Sequence, residues 1–123
     1  MIGYTTVGTN DLSKASAFFD EVLAPMGARR VTDFLGRGCG WGNGKGKPLF
    51  GVIQPHDRQP ASVGNGTMVA LAVADAAQVE ALHAKAVALG AKDEGAPGKR
   101  TDHFYGAYFR DLDGNKICVF CVT

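Results

Sequence analysis

A chain of 123 residues is the size of one domain and is long enough to bury a sizeable core. Its make-up, 46% hydrophobic and 20% charged, is ordinary for a globular protein, and a formal net charge of +1 gives no electrostatic footing for nucleic acid or an anionic membrane. No apolar run approaches the ~18 residues of a membrane-spanning helix, and the opening MIGYTTVGTNDL lacks the basic and then apolar regions of a signal peptide.

Residues 2–9 alternate in the manner of a strand, with Tyr4, Thr6 and Gly8 on one face and Thr5, Val7 and Thr9 on the other. Asn10-Asp11 is a helix-start signal, because a short acceptor side chain can take the orphan amides of the first turn. Ala15, Phe18, Phe19, Val22 and Leu23 then follow the spacing of one helical face. Pro25 and Gly27 stop that helix, and residues 28–34 read as a second strand. Glycine next falls at 36, 38, 40, 42, 44 and 46, with Arg37, Cys39, Trp41, Asn43 and Lys45 between. In an extended chain one face would be bare backbone and the other would carry side chains. Bare faces suit the close approach of a backbone or a ligand. The plainer reading is a flexible glycine-rich loop around a short strand near Trp41. The pattern fits neither phosphate-binding glycine motif.

Residues 49–54 read as a fourth strand, ended by Pro55. The stretch HDRQPASVGNG, residues 56–66, is polar and rich in turn formers, so it reads as a linker. Residues 68–73 read as a fifth strand. Asp75 and Gln78 form an Asp version of the capping box. The helix behind them carries Val79, Leu82, His83, Ala86 and Val87, and Gly90 caps its end. Residues 92–100, with Gly95, Pro97 and Gly98, read as a short strand or loop. The chain closes on a hairpin: residues 106–109 and 117–122 are strand-like, and Arg110-Asp111-Leu112-Asp113-Gly114-Asn115-Lys116 has the chemistry of a tight reversal. Cys118 and Cys121 share that last strand at an odd spacing, which turns them to opposite faces. Together with Cys39 they make an odd set, read as reduced thiols of a cytoplasmic protein.

The order strand, helix, three strands occurs twice. Asp11 and Asp75 open the helices, and Gly27-Ala28 and Gly90-Ala91 close them, so the two halves have nearly the same length and punctuation. The predicted fold class is α+β: two βαβββ modules, residues 1–55 and 67–123, in an open, curved mixed β-sheet with the helices outside.

This duplication, with an aromatic strand, an R-D-x-D-G-N turn and a closing apolar strand at its end, resembles the vicinal oxygen chelate superfamily. That superfamily includes glyoxalase I, bleomycin-resistance proteins and extradiol dioxygenases. The resemblance implies two halves around a central cleft and, in metal-dependent members, ligands from the first and last strands of each module. Carried over one position at a time, those ligands fall on Tyr4, on Phe50 or Val52, on Met68 and on Cys118. None is a His or a carboxylate, so the set is a poor home for Zn, Ni or Mn in oxygen/nitrogen geometry. The metal site is therefore expected to be missing and no cofactor is expected. Tyr4 reads equally as packing at the cleft mouth, Met68 as core filler and Cys118 as a small buried hydrophobe.

The expected cleft lining is Tyr4, Thr6, Trp41, Phe50, Met68, Ala70, Tyr105, Tyr108 and Cys118, with His103 overhanging from the loop before the last hairpin. His83 reads as structural and His56 as solvated. Aromatic and soft apolar walls suit a small, partly aromatic or apolar ligand, and Trp41 with the tyrosines could take a cation. The expected function is a glyoxalase/bleomycin-resistance-like protein that binds a small organic molecule without a catalytic metal. The alternative is a metal-dependent lyase of the lactoylglutathione type, using Zn, Ni or Mn. A third reading is an interaction module whose cleft is filled by its own side chains. A homodimer is expected by resemblance alone.

Overall fold

The computed structural model describes residues 1–123 and divides them into two compact units, Met1–Val63 and Gly64–Thr123. In the first unit, β1 (Tyr4–Gly8) leads into α1 (Leu12–Leu23), then β2 (Arg29–Thr32), β3 (Gly38–Gly42) and β4 (Leu49–Ile53). The sheet order is β1-β4-β3-β2, with β1 and β4 parallel and the other pairs antiparallel. Asp11 caps α1 by accepting from the Lys14 amide at 3.0 Å, and the helix buries the apolar stripe expected of it. A 3-10 turn, Ala24–Met26, carries Pro25 and ends on Gly27 in the left-handed region.

The core of this unit is aromatic. Phe19 meets Phe18 and Phe50 edge-on, each with ring centroids 4.9 Å apart, and lies 5.7 Å from Trp41. Phe19, Val22, Trp41 and Val52 are all essentially excluded from solvent, and burial of one such side chain contributes about 1.5–3 kcal/mol. The indole N–H of Trp41 does not go unpaired: it donates to Asp20 Oδ1 at 2.9 Å. The same carboxylate accepts twice from Arg30, at 2.8 and 2.6 Å.

The second unit repeats the plan. β5 (Val69–Ala72) is followed by α2 (Ala76–Ala88), β6 (Lys92–Thr101), β7 (Phe104–Arg110) and β8 (Lys116–Val122). The order is β5-β8-β7-β6, again with the first pair parallel. Asp75 accepts from the Gln78 amide, and Gln78 reaches back to the Ala74 amide, both at 2.9 Å. Val79, Leu82, His83 and Ala86 of α2 are buried, whereas Val87 is 40% exposed and lies outside that stripe. His83 is structural: its Nε2 is 3.1 Å from Asp93 Oδ1. In the closing turn Asp111 is buried and accepts from the amides of Asp113 and Asn115 and from the Asn115 side chain.

Three boundaries differ from expectation for physical reasons. β2 stops at Thr32 because the Asp33 carbonyl accepts from both Gly36 and Gly38, folding residues 33–38 into a turn. Residues 92–101 form a full strand, since its register breaks let Gly95, Pro97 and Gly98 sit in an irregular ladder. The glycine segment is strand at Gly38–Gly42, between the turn that holds Gly36 and Arg37 and the loop that leads to β4.

Candidate functional site

In a strand paired on both sides, alternate residues must face alternate sides of the sheet. In the first unit one side packs on α1 and holds Val7, Cys39, Trp41, Phe50 and Val52, all buried. The other side carries Tyr4 and Thr6, both exposed, with Gly38, Gly40, Gly42 and Gly51. The bare face foreseen from the glycine alternation is therefore the helix-free face. Trp41 and Phe50, expected beside Tyr4 and Thr6, belong to the opposite, core side, because large aromatic rings take the face that α1 can cover. A cation therefore has no access to Trp41.

Phe34, which the sequence places at the end of the second strand, lies beyond β2 and occupies the bare face. The Phe34 ring lies over Gly40 and Gly51: a Cβ added to either would meet it at 2.7–3.0 Å. Its centroid is 5.6 Å from that of Tyr4. Phe34 and Leu35 both have positive φ, 49° and 59°, a conformation costing on the order of 1–2 kcal/mol per non-glycine residue. The turn is held by the Thr32 hydroxyl and the Asp33 carboxylate, which accept from the amides of Phe34 and Leu35. No local sequence signal marks a phenylalanine for this conformation.

In the second unit the helix side holds Ala107, Phe109, Ile117, Val119 and Cys121. Tyr105 is on this side, since its hydroxyl donates to Glu80 of α2 at 2.8 Å; it does not share a face with Tyr108 as expected. The helix-free side carries Met68 and Ala70, both exposed, with Tyr108 and Cys118 directly opposite one another on β7 and β8. Arg100 and Lys116 stand 5.3 and 5.6 Å from the Tyr108 ring centroid. Phe104 and Phe120 stack on the same side, 4.8 Å apart and 8° from parallel. Cys118 is fully buried. Burial pushes its thiol up, with Tyr108, Arg100 and Lys116 pulling the other way, so it is held as a thiol rather than an attacking thiolate. His103 sits at the tip of the β6–β7 hairpin, where Nδ1 is 3.1 Å from the Thr123 carbonyl oxygen. It is tied to a backbone group rather than grouped with Tyr108 and Cys118.

The strand pairing also corrects the metal positions. Cys118 lies opposite Ala70, and the residue opposite Thr6 is Gly51, not Phe50 or Val52. The positions that the resemblance marks for ligands are thus Tyr4, Gly51, Met68 and Cys118: a phenol, no side chain at all, a thioether and a buried thiol. These do not fit a divalent ion that takes imidazole and carboxylate donors. No group of three His, Cys, Asp or Glu side chains able to hold a metal ion is formed anywhere in the chain.

Comparison with known proteins places this geometry. The family model for a glyoxalase-like domain matches residues 4–120. A glyoxalase/bleomycin resistance protein from Albidiferax ferrireducens T118 is 35% identical over 98% of both chains, with a TM-score of 0.88. A glyoxalase/bleomycin resistance protein/dioxygenase family enzyme from Burkholderia phytofirmans PsJN shares the fold at 20% identity over 98% of both chains, TM-score 0.75. So does a lactoylglutathione lyase from Agrobacterium tumefaciens, at 22% identity over 98% of this chain and 92% of its own, TM-score 0.70. No curated protein gives a significant match. With two four-stranded mixed sheets, each bearing one helix, and a family match over nearly its whole length, the chain belongs to the glyoxalase-like domain family of the vicinal oxygen chelate superfamily.

Proposed function

We propose that this protein binds a small organic molecule on the helix-free face of its second sheet, without the divalent metal used by the family's lyases. The observation that supports this most is the Tyr108 ring with Arg100 and Lys116 beside it and Met68 and Ala70 exposed on the same face. A ring and soft apolar side chains accept an apolar or aromatic body, and Arg100, which unlike Lys116 has no carboxylate partner, favours one that carries an acidic group. The matching face of the first sheet is already covered by Phe34. A homodimer remains part of the proposal on the strength of the resemblance, and a cytoplasmic location on the three free cysteines.

Thermal shift with a set of aromatic acids and thiol conjugates tests the reading. At least one is expected to raise the midpoint of the native protein, and Tyr108→Ala with Arg100→Ala is expected to abolish that rise. No response to any of them sinks the proposal. Stoichiometric Zn, Ni or Mn in the purified protein, with turnover of a hemithioacetal, would replace it with the lyase reading.

A further inference from the structure

The remainder of the glycine-rich segment, residues 43–48, has no part in the face just described. It borders a depression of about 590 Å³ at one end of the first sheet. Arg29, Lys45 and Lys47 line that depression, and no Asp or Glu does. None of the three cations takes part in an ion pair. In a chain with a formal charge of only +1, this is a local excess of three positive charges with no internal counter-charge.

The loop backbone adds donors. Lys47 N–H donates to the Gly44 carbonyl at 3.2 Å, closing a four-residue turn in which Gly46 has φ +76°. A left-handed residue at the third position of such a turn is the place of glycine. The amides of Gly44, Lys45 and Gly46 make no backbone hydrogen bond. The Lys47 side chain folds back over Gly44, where an added Cβ would meet its Cδ and Cε at 3.0 and 3.1 Å. Gly44 thus leaves the space that brings the ammonium group to its own loop. Free amides of a turn, with three cations lining the same depression, supply the donors that a multiply charged oxyanion takes. Val31 and Leu49 supply an apolar wall beside it.

We infer that this depression of the first unit is an anion site for phosphate, free or as the head of a small phosphomonoester, and the inference does not rest on the ligand face proposed for the second sheet. A phosphate carries close to two negative charges at neutral pH, which suits three cations better than one carboxylate does.

The test is a titration of inorganic phosphate into the ¹⁵N-labelled full chain, followed by amide resonances. Saturable shifts are expected at Gly44, Lys45 and Gly46. The double variant Lys45→Ala/Lys47→Ala is expected to bind about tenfold more weakly, equivalent to ~1.4 kcal/mol. A control, Lys14→Ala/Lys99→Ala, removes the same charge elsewhere and is expected to bind as the native chain does. Shifts that never saturate, or equal weakening in the control, overturn the site. Tighter binding of succinate than of phosphate overturns the ligand class. Phenyl phosphate binding more tightly than inorganic phosphate identifies the phosphomonoester as the form taken; the reverse order identifies the free ion.

Discussion

The two sheets agree on the side that faces their helices and part company on the other. Trp41 and Phe50 in the first unit stand where Phe109 and Ile117 stand in the second, each pair in register and each buried. On the helix-free side, Gly40 and Gly51 answer to Tyr108 and Cys118. One half has a bare backbone shelf with a ring from its own loop laid on it; the other has a phenol flanked by cations. A duplicated module must keep its core to fold, because close packing tolerates little change of volume. The uncovered face is under no such constraint, and there the two copies have become different chemistry.

The largest effects should fall where the halves agree. Trp41→Ala and Phe109→Ala are each expected to cost about 3–5 kcal/mol of stability in urea unfolding, as large buried rings do. A cost well under that for one alone would show that the two cores are not equivalent. Intermediate effects should separate the halves. Gly51→Ala drives a Cβ into the Phe34 ring and is expected to cost about 1–3 kcal/mol, the range of overpacking. The same change in a Phe34→Ala background should be nearly free, so a double-mutant cycle reads the coupling. No coupling would mean that Phe34 does not hold that shelf. Trp41→Phe keeps most of the ring but drops the bond to Asp20, with an expected loss of about 1 kcal/mol beyond the change in volume.

The smallest contrast is in pH dependence. The Arg30 bonds hold the Asp20 carboxyl below its usual range, so its contribution is present above the unfolded value of 3.8 and fades as pH falls through the lower folded value. Asp20→Asn should flatten the acid limb of stability in urea titrations. Asp111 has the opposite sign. Burial raises its folded value despite the bonds from Asn115 and Asp113, so its contribution is fullest below 3.8 and is lost as pH rises through the raised value. An unchanged acid limb in the Asp20→Asn protein would leave Asp20 without an electrostatic part in folding.

Much of this contrast is legible in the residues alone. The α1 stripe, the two Asp caps, the repeat and the closing hairpin follow from spacing and turn chemistry, which act over a few residues. The alternating glycines announce a bare face and a dressed one. Alternation alone does not say which of the two a helix will cover, and for that reason the sequence reading puts Trp41 and Phe50 on the wrong side. Tyr105 and Tyr108 are a different case: their odd spacing already places them on opposite faces of one strand. Phe34 is beyond reach, because its position depends on two left-handed residues and on a shelf contributed by strands distant in sequence. The depression lined by Lys45 and Lys47 matches no phosphate motif and becomes visible only when Arg29 is brought alongside.

The outer strand β6 has a bearing on how copies of this chain can meet. Its pairing with β7 slips at three places, it contains Pro97, and Lys92, Lys99 and Arg100 stud its length. A rim so uneven and so charged gives a newcomer's backbone no continuous row of partners to zip onto. Growth of the second sheet at that rim is thereby disfavoured as a way for two copies of this chain to join.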